Sequence, residues 1–148
     1  MSLDTPQALT DRDTVPRALY VFAALATLLG VAHHVDHVIR GNHVGWPMTP
    51  EVNAFTYSLV IYPLIALVLA ATLLDRADSR HWAGLFAVGT AMLAYFHISP
   101  WAVEPPSDVI LPYADPTLGY VAFAVLLALI GTVALATAYA TTLYWRDR

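Results

Sequence analysis

Residues Leu118 to Trp145 read LGYVAFAVLLALIGTVALATAYATTLYW, a continuous apolar stretch without one charged side chain. Crossing the hydrocarbon of a bilayer takes roughly 17–25 residues of helix. This stretch exceeds that need, so it is expected to tilt, kink or project beyond the lipid. Working back towards the N-terminus, three further runs have the same character: Arg17 to Ile39, Ala54 to Leu74 and Trp82 to Ile98. Backbone amides in hydrocarbon must bond within their own segment or within a closed barrel, and these runs lack the alternation a barrel needs. The expected fold is therefore all-α: an integral-membrane four-helix bundle forming one domain over residues 1–148.

Composition agrees. Apolar types make up 58% of the 148 residues and charged types 12%, far from the quarter charged of ordinary soluble domains. Cysteine is absent, which excludes disulfides, thiolate metal sites, iron–sulfur clusters and cysteine nucleophiles. The net charge of −4 without a basic run gives no electrostatic footprint for nucleic acid.

Orientation follows from the basic residues, all of them arginine. Arg12, Arg17, Arg76, Arg80, Arg146 and Arg148 share the side of both termini, and Arg40 stands alone on the other. That bias predicts a multi-pass cell-membrane protein with both termini cytoplasmic. Trp46, Trp101 and Tyr113 outside, with Trp82, Tyr144 and Trp145 inside, fit aromatic belts. The N-terminal segment 1–14 lacks the features of a secretory signal and is expected to be a mobile tail. Thr14 can cap the first helix, with Pro16 in its first turn. Asp75 to His81 is a tight charged turn joining a helical hairpin. Residues 99–117 hold five prolines and three acids, a stiff outer cap that cannot be helical throughout. Pro63 is expected to kink the second span. Ala124 with Ala128, and Ala134 with Ala138, are expected to mark close helix approach.

The chemistry concentrates in His33-His34-Val35-Asp36-His37-Val38-Ile39-Arg40-Gly41-Asn42-His43. At 100° per residue, His33, Asp36, His37 and Arg40 fall on one face of the first span's outer end, with His34 on its flank. Topology brings Asn53, Thr56 and Tyr57 of the second span, Tyr95 and His97 of the third and Tyr120 of the fourth to that depth. Ionisable groups inside a span are costly and turn inward. The site expected here is an outward-facing pocket with metal candidates His33, Asp36, His37, His43 and His97, lined by Arg40, Asn53, Tyr57, Tyr95 and Tyr120.

Histidines at i and i+4 present two imidazoles to one divalent ion. The zincin pattern is not met, because His34 stands where a general-base glutamate belongs. A di-iron carboxylate pattern is not met either, because no span contains Glu. Haem between His33 or His37 and His97 is a second possibility, and a proton or cation relay through Asp36 a third. Beside these stands a purely structural account. Asp36 and Arg40 are an i,i+4 ion pair in the favourable order, and the polar face holds helices together in a non-enzymatic scaffold or accessory subunit. The leading functional expectation is a bound metal ion or haem. The partners implied are the lipid bilayer and a second membrane protein or further copies of the chain, with no nucleic acid. No phosphate-cradling loop, dinucleotide fingerprint or nucleophile elbow occurs, and no reaction or substrate is assigned. His81, beside Trp82, reads as interfacial, and the loop acids Glu104, Asp108 and Asp115 read as solvated.

The run HHVDHVIRGNHVGWPMTPEVNAFTYSLVIYPL, and more faintly HISPWAVEPPSDVILPYAD, resembles a group of small, uncharacterised prokaryotic four-span membrane proteins marked by H-x-x-D-H-x-x-R-G-N-H-x-G-W-P. The resemblance implies the four-span outline and carries no mechanism.

Overall fold

The structure, a computed structural model, describes residues 15–40 and 54–146. The expected tail, the Thr14 cap, His43, Trp46 and Asn53 lie outside the described residues. Six helices follow one another: α1 Arg17–Arg40, α2 Ala54–Ser58, α3 Ile61–Leu73, α4 Ser79–His97, α5 Pro106–Ile110 and α6 Pro116–Arg146. No strand occurs among the described residues. Three helical runs are long and apolar enough to cross a membrane: α1, α2 with α3 as Ala54–Leu73, and α6. Helix α4 is not among them, because it opens on Ser79-Arg80-His81 and ends on His97.

The second run is interrupted at Leu59 and Val60, one turn before Pro63. Proline has no amide hydrogen to offer the carbonyl four residues back, and its ring crowds that carbonyl. The carbonyl of Leu59 accepts from Tyr62 instead, at 3.2 Å. The irregularity expected at Pro63 is thus a two-residue interruption, bridged by Val60 N to Tyr57 O at 3.1 Å, within one apolar run.

Helix α6 is the hub. It packs most extensively against α4, then against α1 and α5, while α3 has only a slight contact with α4. The main core joins Leu19, Ala23 and Ala26 of α1, Trp82 and Phe86 of α4, and Leu129 to Leu143 of α6. Two sequence expectations are corrected here. The close-approach alanines of α6 are Ala136 and Ala140, both fully buried; Ala124, Ala128 and Ala138 are exposed and Ala134 is half-buried. Small residues occur all round α6, so their spacing alone could not identify the packed face. Trp82 is also fully buried rather than part of a belt, and its indole donates to Thr72 Oγ1 at 3.0 Å.

The turn between α3 and α4 is closed by caps at both ends. Arg76 N donates to Ala71 O at 2.8 Å and Asp75 N to Thr72 O at 3.1 Å, the paired bonds of a Schellman ending. Asp75 takes the left-handed position at φ 54°, which Asp tolerates better than most residues. Asp78 then caps α4, accepting from Arg80 N at 3.1 Å, and His81 Nδ1 returns to it, 2.8 Å from Asp78 Oδ1 and 3.2 Å from Asp78 N. His81 therefore serves in a capping box, a role its sequence position beside Trp82 did not suggest. At the other end, Asp115 Oδ1 accepts from Thr117 N at 2.8 Å and Pro116 opens α6. One turn on, Gly119 allows α5 to rest against α6: a Cβ there would lie 2.2 Å from Ile110 O.

Gly119→Ala is expected to separate α5 from α6 and cost about 1–3 kcal/mol. Gly84→Ala, where an added Cβ meets nothing within 4 Å, should be neutral or slightly stabilising. Thermal unfolding of both variants checks this contrast. Asp78→Ala is expected to cost about 1 kcal/mol at neutral pH through loss of the cap. Partial burial raises the Asp78 carboxyl, but its hydrogen bond with His81, the Arg80 charge and the Arg80 amide together hold it below the ordinary carboxylate value. Its contribution is therefore complete above the unfolded value of about 3.9 and is lost as pH falls through the lower folded value. Unfolding curves of the two proteins should converge in strong acid.

Candidate metal centre

The last two turns of α1 carry a polar face that the bundle buries. His33, Asp36, His37 and Arg40 are all buried, and His97, the last residue of α4, is 2% exposed. The loop after α4 then doubles back. Ile98 N and Ser99 N both donate to Ala94 O, at 3.0 and 2.9 Å, and Glu104 N donates to Phe96 O at 3.0 Å. This reversal returns Glu104 to the helix end it has just left, where it is 3% exposed.

Three imidazoles converge. His37 Nε2 and His33 Nε2 are 3.2 Å apart, and one ring nitrogen from each of His33, His37 and His97 fits within a mutual distance of 4.8 Å. Two nitrogens bound at 2.0–2.1 Å to one tetrahedral zinc are separated by about 3.3–3.4 Å. The His33–His37 spacing matches that edge. His97 directs Nδ1 towards Glu104, 3.3 Å from its carbonyl oxygen and 3.2 Å from carboxylate Oε2, leaving Nε2 as its remaining donor. A carboxylate or carbonyl behind one ring nitrogen is the usual means of orienting a histidine ligand.

The charges around this group are few and tightly held. Arg40 Nε donates to Asp36 Oδ2 at 2.7 Å, and Arg40 Nη1 donates to Glu104 Oε1 at 2.5 Å and to the Asp108 carbonyl at 3.0 Å. Tyr113 donates a short hydrogen bond to Asp36 Oδ1. Glu104 Oε2 lies 3.4 Å from His37 Nε2 but has no aligned hydrogen bond, and Arg40 Nη2 also has none. Burial raises the Glu104 carboxyl; the imidazoles of His97 and His37 and the Arg40 guanidinium outweigh it and keep the acid ionised below its ordinary value. Tyr113 is pushed up to about 12 by burial and by its bond to Asp36, so it stays a donor. Counting Asp36, Glu104 and Arg40 alone, the net formal charge is −1 in a low-dielectric setting, which favours a cation.

A second polar group adjoins the first. His34 Nδ1 is 2.8 Å from Gly30 O and 2.7 Å from Tyr62 Oη, and His34 Nε2 is 2.8 Å from Ser58 Oγ. These contacts tie α1 to α2 and α3. Between the helices, both groups border an elongated cavity of about 630 Å³.

Of the metal candidates read from sequence, the structure brings His33, His37 and His97 together. Asp36 is turned to Arg40 and Tyr113, outside the three-histidine group. His43 lies outside the described residues, as does Asn53 among the expected pocket-lining residues. Arg40 lies behind the cluster rather than on the cavity wall, and Tyr57 lines the cavity while remaining 66% exposed. Tyr95 and Tyr120 do not line it: both point outward, 51% and 62% exposed. Sequence reasoning missed Glu104, Tyr113, Ser58 and Tyr62. Glu104 carries a local signal, since Ala102, Val103, Pro105 and Pro106 leave the acid no polar neighbour in sequence. No protein-family model, curated protein or solved structure matches the chain.

Arg40→Met is expected to destabilise the fold by about 3–5 kcal/mol, because two buried carboxylates lose their shared counter-charge. Adding Glu104→Gln to that variant should recover part of the loss, a non-additivity measurable by thermal unfolding of the two singles and the double.

Proposed function

We propose that this is a small integral membrane protein that holds a transition-metal ion through His33, His37 and His97 at the outward end of a four-span bundle. The observation that carries the reading is the convergence of three buried imidazoles, with Nε2 atoms of His33 and His37 3.2 Å apart. The apolar length of α1, α2–α3 and α6 supports insertion, and α4 completes an even number of crossings. The arginine distribution supports cytoplasmic termini.

Imidazole donors suit zinc, copper, iron or nickel. Three protein ligands with an open fourth position make the arrangement of a reactive zinc rather than a closed structural one. Haem is the poorer fit. Its two axial ligands stand on opposite faces of a macrocycle, whereas His33 meets His37 and His97 edge to face at centroid distances of 4.6 and 4.9 Å. No macrocycle fits between rings so close. A scaffold held by the Asp36–Arg40–Glu104 bridge alone is the rival that the experiment must separate.

Protein purified in detergent is expected to carry about one metal per chain by elemental analysis. Cobalt(II) reconstitution should give the visible bands of a nitrogen-rich tetrahedral site. His37→Ala and His97→Ala should abolish both signals. A wild type that binds neither its own metal nor cobalt, while His37→Ala only lowers its Tm, would establish the scaffold instead.

A further inference from the structure

The cavity beside the three histidines is not accounted for by metal binding alone. Its lining runs on α1 from His37 back to Ala26 and on α4 from His97 back to Leu85, about 16–18 Å at 1.5 Å per residue. Its polar lining gathers at one end, where His33, His34, His37, His97, Ser58 and Tyr62 meet. Along the rest the walls are residues such as Phe86, Met92, Leu129 and Val133. The cavity is not sealed: Tyr57, Val60 and Met92 on its wall are exposed, so a guest can enter it from the side. Water cannot occupy an apolar slot that offers it no hydrogen-bond partners. Gly89 adds to the width, since a Cβ built there meets nothing within 4 Å. The occupant is therefore apolar for most of its length and polar at one end.

We infer that the cavity binds a single-chain lipid with an oxygen-donor head, of the long-chain carboxylate class, with its head at the metal and its chain along α1 and α4. This rests on the metal reading of the three histidines. A divalent ion turns the local formal charge from −1 to +1, counting Asp36, Arg40 and Glu104, and so favours an anionic head. Three protein ligands leave a coordination position for its oxygen. Ser58 Oγ and Tyr62 Oη, both within hydrogen-bond distance of His34, add polar contacts at the same end. A volume of about 630 Å³ with its polar groups at one end suits one chain rather than the two of a bilayer phospholipid.

The test uses full-length cobalt-loaded protein in amphipol, with isotopically labelled hexadecanoate and acetate as probes and Gly89→Leu as the cavity-filling variant. Gly89 is no ligand, and leucine is a better helix former than glycine. Hexadecanoate is expected to bind near one per chain and shift the cobalt bands. Acetate should need a concentration about a hundredfold higher or more, since each buried methylene adds roughly 0.8 kcal/mol. Gly89→Leu should keep the cobalt bands and weaken hexadecanoate about tenfold or more. Equal potency of the two acids, an unchanged affinity in Gly89→Leu, or displacement of hexadecanoate by a diacyl phospholipid would overturn the proposal. Cobalt bands that hexadecanoate leaves unmoved overturn it while the metal reading stands. Hexadecanoate bound with no cobalt bands retires the metal reading and, with it, the placement of the head.

Discussion

A guanidinium buried away from water must be met by acceptors, and Arg40 organises the histidine-bearing end of this bundle by that requirement. It holds Asp36 on its own helix and Glu104 on the loop, and it reaches a backbone carbonyl of α5. Removing a cation from water costs several kcal/mol, which only close and well-directed anions repay. The proline-rich loop is consequently fixed to α1 rather than left above it. Glu104 is thereby placed behind His97 and beside His37. The position of the histidines thus depends on an ion pair that contains none of them.

That dependence explains what could be read from the chain and what could not. The polar face of α1 is a local property: four residues at helical spacing share one side whatever the helix packs against. The meeting of α1 with His97 followed from the up-and-down order of the apolar runs, which brings the end of the first beside the end of the third. Glu104 was hidden because its burial depends on a chain reversal made by backbone bonds to Ala94 and Phe96. Apolar and proline neighbours set the acid apart in sequence, but they do not say where it folds back to. Tyr113 was misread for the same reason, as its partner Asp36 is remote in sequence.

The packing face of α6 taught a different lesson. Alanine is so frequent in this helix that several small-residue pairs have the required spacing, and only contact with α4 and α1 selects Ala136 and Ala140. Polar residues are rare enough in an apolar helix to mark a face; small ones are not. The expected and observed helices agree closely in extent, because hydrophobic length is set by composition. Which side of each helix turns inward is set by neighbours.

The interruption upstream of Pro63 has a mechanical consequence. Helices α2 and α3 bury little, with Phe55 and Thr72 their only buried residues. Their polar ties lie at two ends, Ser58 and Tyr62 to His34 and Thr72 to Trp82. Between these fastenings the wall leans on its neighbours through side-chain contact, and the interruption at Leu59 and Val60 sits next to the upper fastening. A wall pinned at its ends and thinly packed between them resists deformation less than the α1–α4–α6 core does, so the width of the cavity is set by its weakest-held side.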